Sequence, residues 1–273
     1  METLRKMLQS AFIAAILFAP MSQSIAGVAV GISINVAPPE LPVYDQPVCP
    51  GPDYIWTPGY WAYGDEGYYW VPGIWVLAPQ PGFLWTPGYW GWSDGYYVWH
   101  DGYWGRHVGF YGGVCYGFGY TGVGFYGGYW RHGVYNYNRS VNNVNVSVVH
   151  NVYSRTVVTP AVTARVSFNG GAGGTLAKPT AKEIVAVHER HIPVTVQQIQ
   201  HHQTAVKNRE LLSSVNHGRP SAEVLAKHAA SSPHPEAARV NNFGPHDHAA
   251  HGPHMDYSRP EQEQRDHHGR HER

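Results

Sequence analysis

The sequence predicts a mainly β N-terminal half of short Trp/Gly-rich hairpins, arranged as a curled sheet or small open β-roll, followed by short α-helices and a disordered His-rich tail. Three observations predict it. A Trp-x-Pro-Gly-x-Trp motif recurs along the first half, which is the mark of a repeat architecture. Aromatic residues flank Asp-containing reversals at matching distances, as cross-strand partners do. Over 231–273 Pro, His and charge dominate with almost no apolar residues, too few to offset the entropy of ordering the chain.

The repeat fixes most of the register. Trp56-Thr-Pro-Gly59-Tyr-Trp61 recurs as Trp70-Val-Pro-Gly73-Ile-Trp75 and as Trp85-Thr-Pro-Gly88-Tyr-Trp90, with a degenerate copy at Trp99-His-Asp-Gly102-Tyr-Trp104. Asp94-Gly95 is a type I′ dipeptide, and a two-residue reversal there sets Trp92 opposite Tyr97 and Trp90 opposite Trp99. The same count around Asp65-Glu66 sets Tyr63 opposite Tyr68 and Trp61 opposite Trp70. Each such aromatic pair adds about 0.5–1.5 kcal/mol beyond burial. Each Pro-Gly step removes a ladder donor and permits a bend, so the strands are expected to stay short. That argues against an outer-membrane barrel, whose strands run about 9–11 residues. The eight indoles have two readings: they pack on one another, or they stack on sugar rings of envelope polysaccharide or peptidoglycan.

The N-terminus reads as a cleavable secretory signal over residues 1–26. Arg5 and Lys6 precede an apolar core from Ala11 to Ala19, and Ser24-Ile25-Ala26 places small residues before a cut at Gly27. Pro20 and the polar residues after it end the apolar run short of the roughly 20 residues a spanning helix needs, so no transmembrane helix is expected after cleavage. Export makes a disulfide the default for Cys49 and Cys115, which bracket the repeat; two free thiols are the alternative. The cross-link would contribute on the order of 4 kcal/mol.

Residues 27–48 are expected to hold an N-terminal strand, alternating from Val28 to Val36, and a Pro-rich lead-in. The β repeat region covers 49–168. Within it Gly109-Phe-Tyr-Gly-Gly113 recurs as Gly124-Phe-Tyr-Gly-Gly128, read as more sheet or as a self-associating surface. A further strand is expected where Val144, Val146 and Val148 alternate with polar residues. Over 169–230, Gly170–Gly174 reads as a flexible linker. Thr180 with Glu183 and Thr195 with Gln198 have capping-box spacing ahead of helices, the second carrying Ile199, Val206 and Leu211 and closed by Gly218. Ser221 to Ala230 reads as one more helix.

Charge and motifs exclude several function classes. Lys plus Arg and Asp plus Glu both total 19, giving zero formal charge. Between Gly27 and Trp130, however, Arg106 is the only lysine or arginine, against acids at 40, 45, 53, 65, 66, 94 and 101. A stacking groove for nucleic acid needs a basic track, so nucleic acid is excluded as a partner. No nucleophile elbow, zincin motif, phosphate loop or Cys-x-x-Cys is present, so a non-catalytic protein is expected.

In the tail, His246, His248, His251 and His254 offer imidazoles for loosely bound Zn, Ni or Cu, although an unanchored segment must be ordered by each ion it takes. Their plain alternative is a solvated tail that gains charge below about pH 6.5. The reading is thus an exported scaffold for binding or assembly. Envelope glycan binding through Trp and Tyr, self-association, and metal buffering at the tail are the specific roles it allows.

With these residues in view, the chain resembles the YXWGXW (WxxGxW) repeat-containing proteins, exported bacterial envelope proteins of unknown function. The resemblance rests on the Trp motif copies, Asn138-Arg-Ser-Val-Asn-Asn-Val-Asn-Val146, Phe168-Asn-Gly-Gly171 and Glu189-Arg-His-Ile-Pro193. It implies a periplasmic or outer-envelope location and brings no catalytic residues. His100-Asp101 in place of a Val-Pro pair and the His-rich tail depart from the family pattern.

Overall fold

The computed structural model describes residues 33–158 and 165–230. The leader, the tail and most of the Val28–Val36 alternation lie outside the described residues. So do the four candidate metal ligands His246, His248, His251 and His254. Of the Val28–Val36 alternation, β1 (Ser33–Ile34) pairs with a later strand and Val36 is exposed.

Two hairpins form the centre. The first comprises β2 (Tyr54–Thr57), β3 (Tyr60–Gly64), β4 (Gly67–Val71) and β5 (Ile74–Leu77). The second comprises β6 (Leu84–Thr86), β7 (Tyr89–Ser93), β8 (Tyr96–His100) and β9 (Tyr103–Gly105). The pairings counted from the reversals are present: Trp61 with Trp70, Tyr63 with Tyr68, Trp90 with Trp99, and Trp92 with Tyr97. Asp94 and Gly95 both take positive φ, 50° and 90°, as a type I′ turn requires. At Asp65-Glu66 the positive φ instead falls one residue later, on Gly67 at 94°.

The Pro-Gly steps interrupt the ladders without shifting them. Thr57 pairs with Ile74 before the step and Tyr60 with Val71 after it, so the count continues unbroken. Pro58 thereby stands across from Gly73, and Gly59 across from Pro72. The second hairpin keeps the same register, with Thr86 paired to Tyr103 and Tyr89 to His100, so that Pro87 faces Gly102 while Gly88 faces Asp101 in place of a proline. A residue without an N–H and a residue without a side chain face each other, so the chain bends there and keeps its register.

The remaining strands are β10 (Gly128–Arg131), β11 (Val134–Asn138), β12 (Val152–Tyr153) and β13 (Phe168–Asn169). Among the described residues the sheets are open and small: one of four strands in the order β1-β8-β7-β13, one of three strands, and three two-stranded ladders. The helices are α1 (Ala181–Val187), α2 (Val196–Val206), α3 (Ser213–Asn216) and α4 (Ala222–Ala230). Thr180–Glu183 and Thr195–Gln198 form both capping boxes as spaced. Helix α2 ends at Val206, and Leu211 lies in a following 3₁₀ turn; the left-handed His217 and Gly218 close α3 instead. No helix among the described residues is long and apolar enough to cross a membrane.

Three segments differ from the sequence reading. The Val144–Val148 alternation forms a turn, because Asn145 accepts the Ser147 N–H with its side chain and the Val148 and Val149 N–H groups with its carbonyl. The Gly-Phe-Tyr-Gly-Gly stretches are loops rather than sheet, up to Gly128, where β10 starts. Gly112, Gly113 and Gly124 take positive φ there, which lets the chain wrap Tyr111, Tyr116 and Tyr120 into the core. Gly170–Gly174, read as a linker, is a folded turn: Gly170 N–H donates to the Thr175 carbonyl at 2.8 Å, and Gly170 and Gly171 lie against Trp92.

Candidate functional site

The repeat side chains divide into two jobs. The first Trp of each motif covers the glycine of the facing motif: Trp56 over Gly73, Trp70 over Gly59, Trp85 over Gly102, and Trp99 over Gly88. A Cβ on Gly88 would stand 2.5 Å from Trp99 Cζ2 and 2.7 Å from the His100 carbonyl oxygen, so only glycine fits there. The second Trp of each motif sends its indole N–H to a different segment. Trp61 donates to the Glu40 carbonyl, Trp75 to Pro47, Trp90 to Trp61, and Trp104 to Gln198 Oε1, all within 3.0 Å. Across the strands first and second Trp residues meet, so all eight form four pairs with ring centroids 5.2–5.4 Å apart. Every repeat indole except Trp99, which is half-buried, is buried.

The hairpins dock through the same residues. Trp90 Nε1 reaches the Trp61 carbonyl at 2.7 Å, Tyr60 stacks on Trp99 with centroids 5.1 Å apart, and Tyr68 meets Trp90 edge-on. The fully buried Tyr120 hydroxyl lies 3.1 Å from both the Trp56 and Trp85 carbonyls, equivalent positions in the two hairpins.

Docking leaves a cavity of about 330 Å³ between the hairpins, roofed by α2. The third residue of all four motif copies lines it: Pro58, Pro72, Pro87 and Asp101. Aromatic walls come from Tyr60, Tyr63, Trp90, Trp99 and Tyr116, and the roof from Val194, Gln198, Ile199, His201 and His202. His202 ties roof to wall, with Nδ1 at 3.0 Å from the Tyr60 hydroxyl and Nε2 at 2.9 Å from the Tyr69 hydroxyl. A neutral ring donates through one nitrogen and accepts at the other, and burial holds His202 below the usual imidazole range. His201 Nε2 lies 2.8 Å from the Pro72 carbonyl oxygen.

The degenerate fourth copy acquires a local role. Asp101 Oδ1 accepts from Trp99 Nε1 at 2.8 Å, whereas the equivalent Trp70 Nε1, with Pro72 in the same place, is buried without a partner among the described residues. Asp101 is exposed while also lining the cavity, so its carboxylate sits at the rim.

Cys49 and Cys115 are both buried and free, so the disulfide expected by default is replaced by the alternative of two thiols. Their surroundings differ. Cys49 Sγ donates to the Gly51 carbonyl at 3.1 Å, and Cys115 lines a smaller cavity with Tyr44, Gly59 and Trp70. Burial pushes the Cys49 thiol up to about 11 and raises Cys115 as well. The acids of the reversals, Asp65, Glu66 and Asp94, are exposed.

Among the described residues no group of three or more His, Cys, Asp and Glu side chains could hold a metal ion. The expected loose ligands His246, His248, His251 and His254 lie outside the described residues.

The segments outside the repeat that carry the resemblance also have defined places. Asn138 is fully buried and donates to the Tyr126 and Arg155 carbonyls while accepting from the Ser140 and Arg155 N–H groups. Phe168 and Asn169 run parallel to Trp90 and Gly91. Ile192 exchanges both backbone hydrogen bonds with Trp104, and His191 stacks on Tyr103. Sequence reasoning flagged Asp101 as a departure but missed the cavity and His202, because both depend on how distant segments dock.

Comparison with curated proteins and with solved structures finds no match. The WXXGXW repeat family model matches twice, at residues 51–76 and 81–104. Each match spans essentially one hairpin and holds two motif copies. Those two stretches are thus similar to the WXXGXW repeat family.

Proposed function

We propose that this is an exported, non-catalytic cell-envelope protein whose aromatic repeat is a scaffold around a small-molecule binding cavity. The observation that carries the reading is the convergence of all four motif copies on one cavity. Its volume falls at the lower end of the range typical of ligand sites, and aromatic walls with a few polar groups are the usual lining. The leader at residues 1–26 supports export. The repeat indoles pack on one another, and those of Trp61, Trp75, Trp90 and Trp104 also donate to acceptors in other segments, which favours scaffold over sugar stacking; stacking on a glycan would fall to exposed rings such as Trp92 and Tyr96.

The test is sedimentation of the mature protein, isolated from the envelope fraction with Gly27 at its N-terminus, alongside purified cell wall. Wild type and Trp99→Phe should sediment equally poorly. Strong co-sedimentation lost in a folded Trp99→Phe variant would make the repeat a glycan-stacking surface and overturn the scaffold reading, and retention of the protein in the cytoplasm would overturn export.

A further inference from the structure

The cavity has a charge signature that its repeat origin does not require. Three of the four converging positions are proline and carry no charge. The fourth is Asp101, and no lysine or arginine occurs among the described residues that line the space. Asp101 spends one oxygen on Trp99 Nε1, while Oδ2 takes no hydrogen bond among the described residues. Of the two histidines in the roof, His202 is engaged at both ring nitrogens by tyrosine hydroxyls, and His201 Nε2 is turned to the Pro72 carbonyl rather than to this carboxylate. An apolar chamber with a single acid at its rim complements a ligand with an apolar body and one positive head. Electron-rich aromatic walls favour a cation further, since ring quadrupoles attract positive charge.

We infer that the cavity between the hairpins binds an organic cation, an amine or ammonium compound whose apolar or aromatic body enters between Trp90, Trp99, Tyr60 and Tyr116 while its charged nitrogen meets Asp101. The inference rests on the cavity being a ligand site, as proposed above. Ligand choice then lies in the fourth copy's departure from the motif: with proline there the chamber would be neutral.

The test compares 3-phenylpropylammonium with its neutral counterpart 3-phenylpropan-1-ol, by calorimetry on the full mature chain at low salt. The variant is Asp101→Asn, whose amide oxygen can still accept from Trp99 Nε1, so its thermal stability should match wild type. The ammonium should bind wild type on the order of tenfold more tightly than the alcohol, as expected of a charge-assisted contact. Asp101→Asn should abolish that preference by bringing the ammonium down to the affinity of the alcohol. Equal affinity for both probes in wild type would overturn the cation assignment and leave the cavity as a neutral site. A preference that persists in Asp101→Asn would move the charge elsewhere and overturn it too. Binding of neither probe would overturn the cavity reading and this inference together.

Discussion

Substituting Gly88 by alanine tests the packing on which the repeat depends. The new Cβ would stand 2.5 Å from Trp99 Cζ2, 2.7 Å from the His100 carbonyl oxygen and 2.9 Å from the Gly102 nitrogen. Ordinary contact begins at 3.4 Å, so each neighbour is at least half an ångström too close. Two of the three are backbone atoms of the facing strand, which no rotamer change can relieve. Overpacking costs about 1–3 kcal/mol, and a clash against backbone belongs at the upper end. Displacing Trp99 also weakens its tilted contact with Trp90, adding about 0.5–1.5 kcal/mol. The expected loss is about 4 kcal/mol, or about 8–16 °C in Tm for a domain of this size. The control is Gly51→Ala, where the nearest atom is Tyr54 Cε2 at 4.0 Å and φ is not positive; its Tm should stay within about 2 °C of wild type. The assay is thermal unfolding followed by near-ultraviolet circular dichroism, which reports the indole pairs. Equal Tm values for the two variants would refute the claim that the motif glycines are fixed by contact with the facing tryptophans.

Two further outcomes follow from the buried groups. Because burial lowers the folded pKa of His202, its contribution is complete above about pH 6.5, the unfolded value, and is lost as the pH falls through the folded value. The gap in urea midpoint between wild type and His202→Gln should therefore narrow between pH 8 and 5, and a constant gap would remove His202 from the pH dependence. Cys49 and Cys115 are buried thiols with raised pKa values, so the native chain should react sluggishly with Ellman's reagent and release two thiols once unfolded in concentrated guanidinium without reductant. No reactive thiol after unfolding would mean that they are cross-linked.

What could be read from the sequence was whatever a local rule determines. A two-residue reversal fixes register by counting, which placed Trp61 against Trp70 and Trp90 against Trp99. A capping box lies within four residues, which placed the starts of α1 and α2. The outer pairs, Trp56 with Trp75 and Trp85 with Trp104, were hidden because proline and glycine look like a break when each strand is read alone. They become a continuation once the glycine of one strand is seen to face the third motif residue of the other, proline in three copies and Asp101 in the fourth. Alternation misled at Val144–Val148, where an asparagine side chain competes with the ladder for backbone donors. The glycine run at 170–174 looks like a linker until Trp92 occupies the space its missing side chains leave. The candidate site was least legible, since its walls come from both hairpins, the loop carrying Tyr116 and helix α2, and no short window of sequence contains them.

The reciprocal cover of glycine by tryptophan sets how such a chain can grow or shrink in evolution. A lone additional motif would bring an indole with no bare backbone to rest on and a bare backbone with no indole above it, so viable gain or loss proceeds by whole out-and-back units. Each newcomer must also find oxygens for the N–H groups of its trailing indoles, and here those are supplied by the lead-in at Glu40 and Pro47, the sister unit at Trp61 and the helix at Gln198. The non-repetitive flanks thus act as end-pieces matched to two units, and lengthening the array would require rewriting them as well.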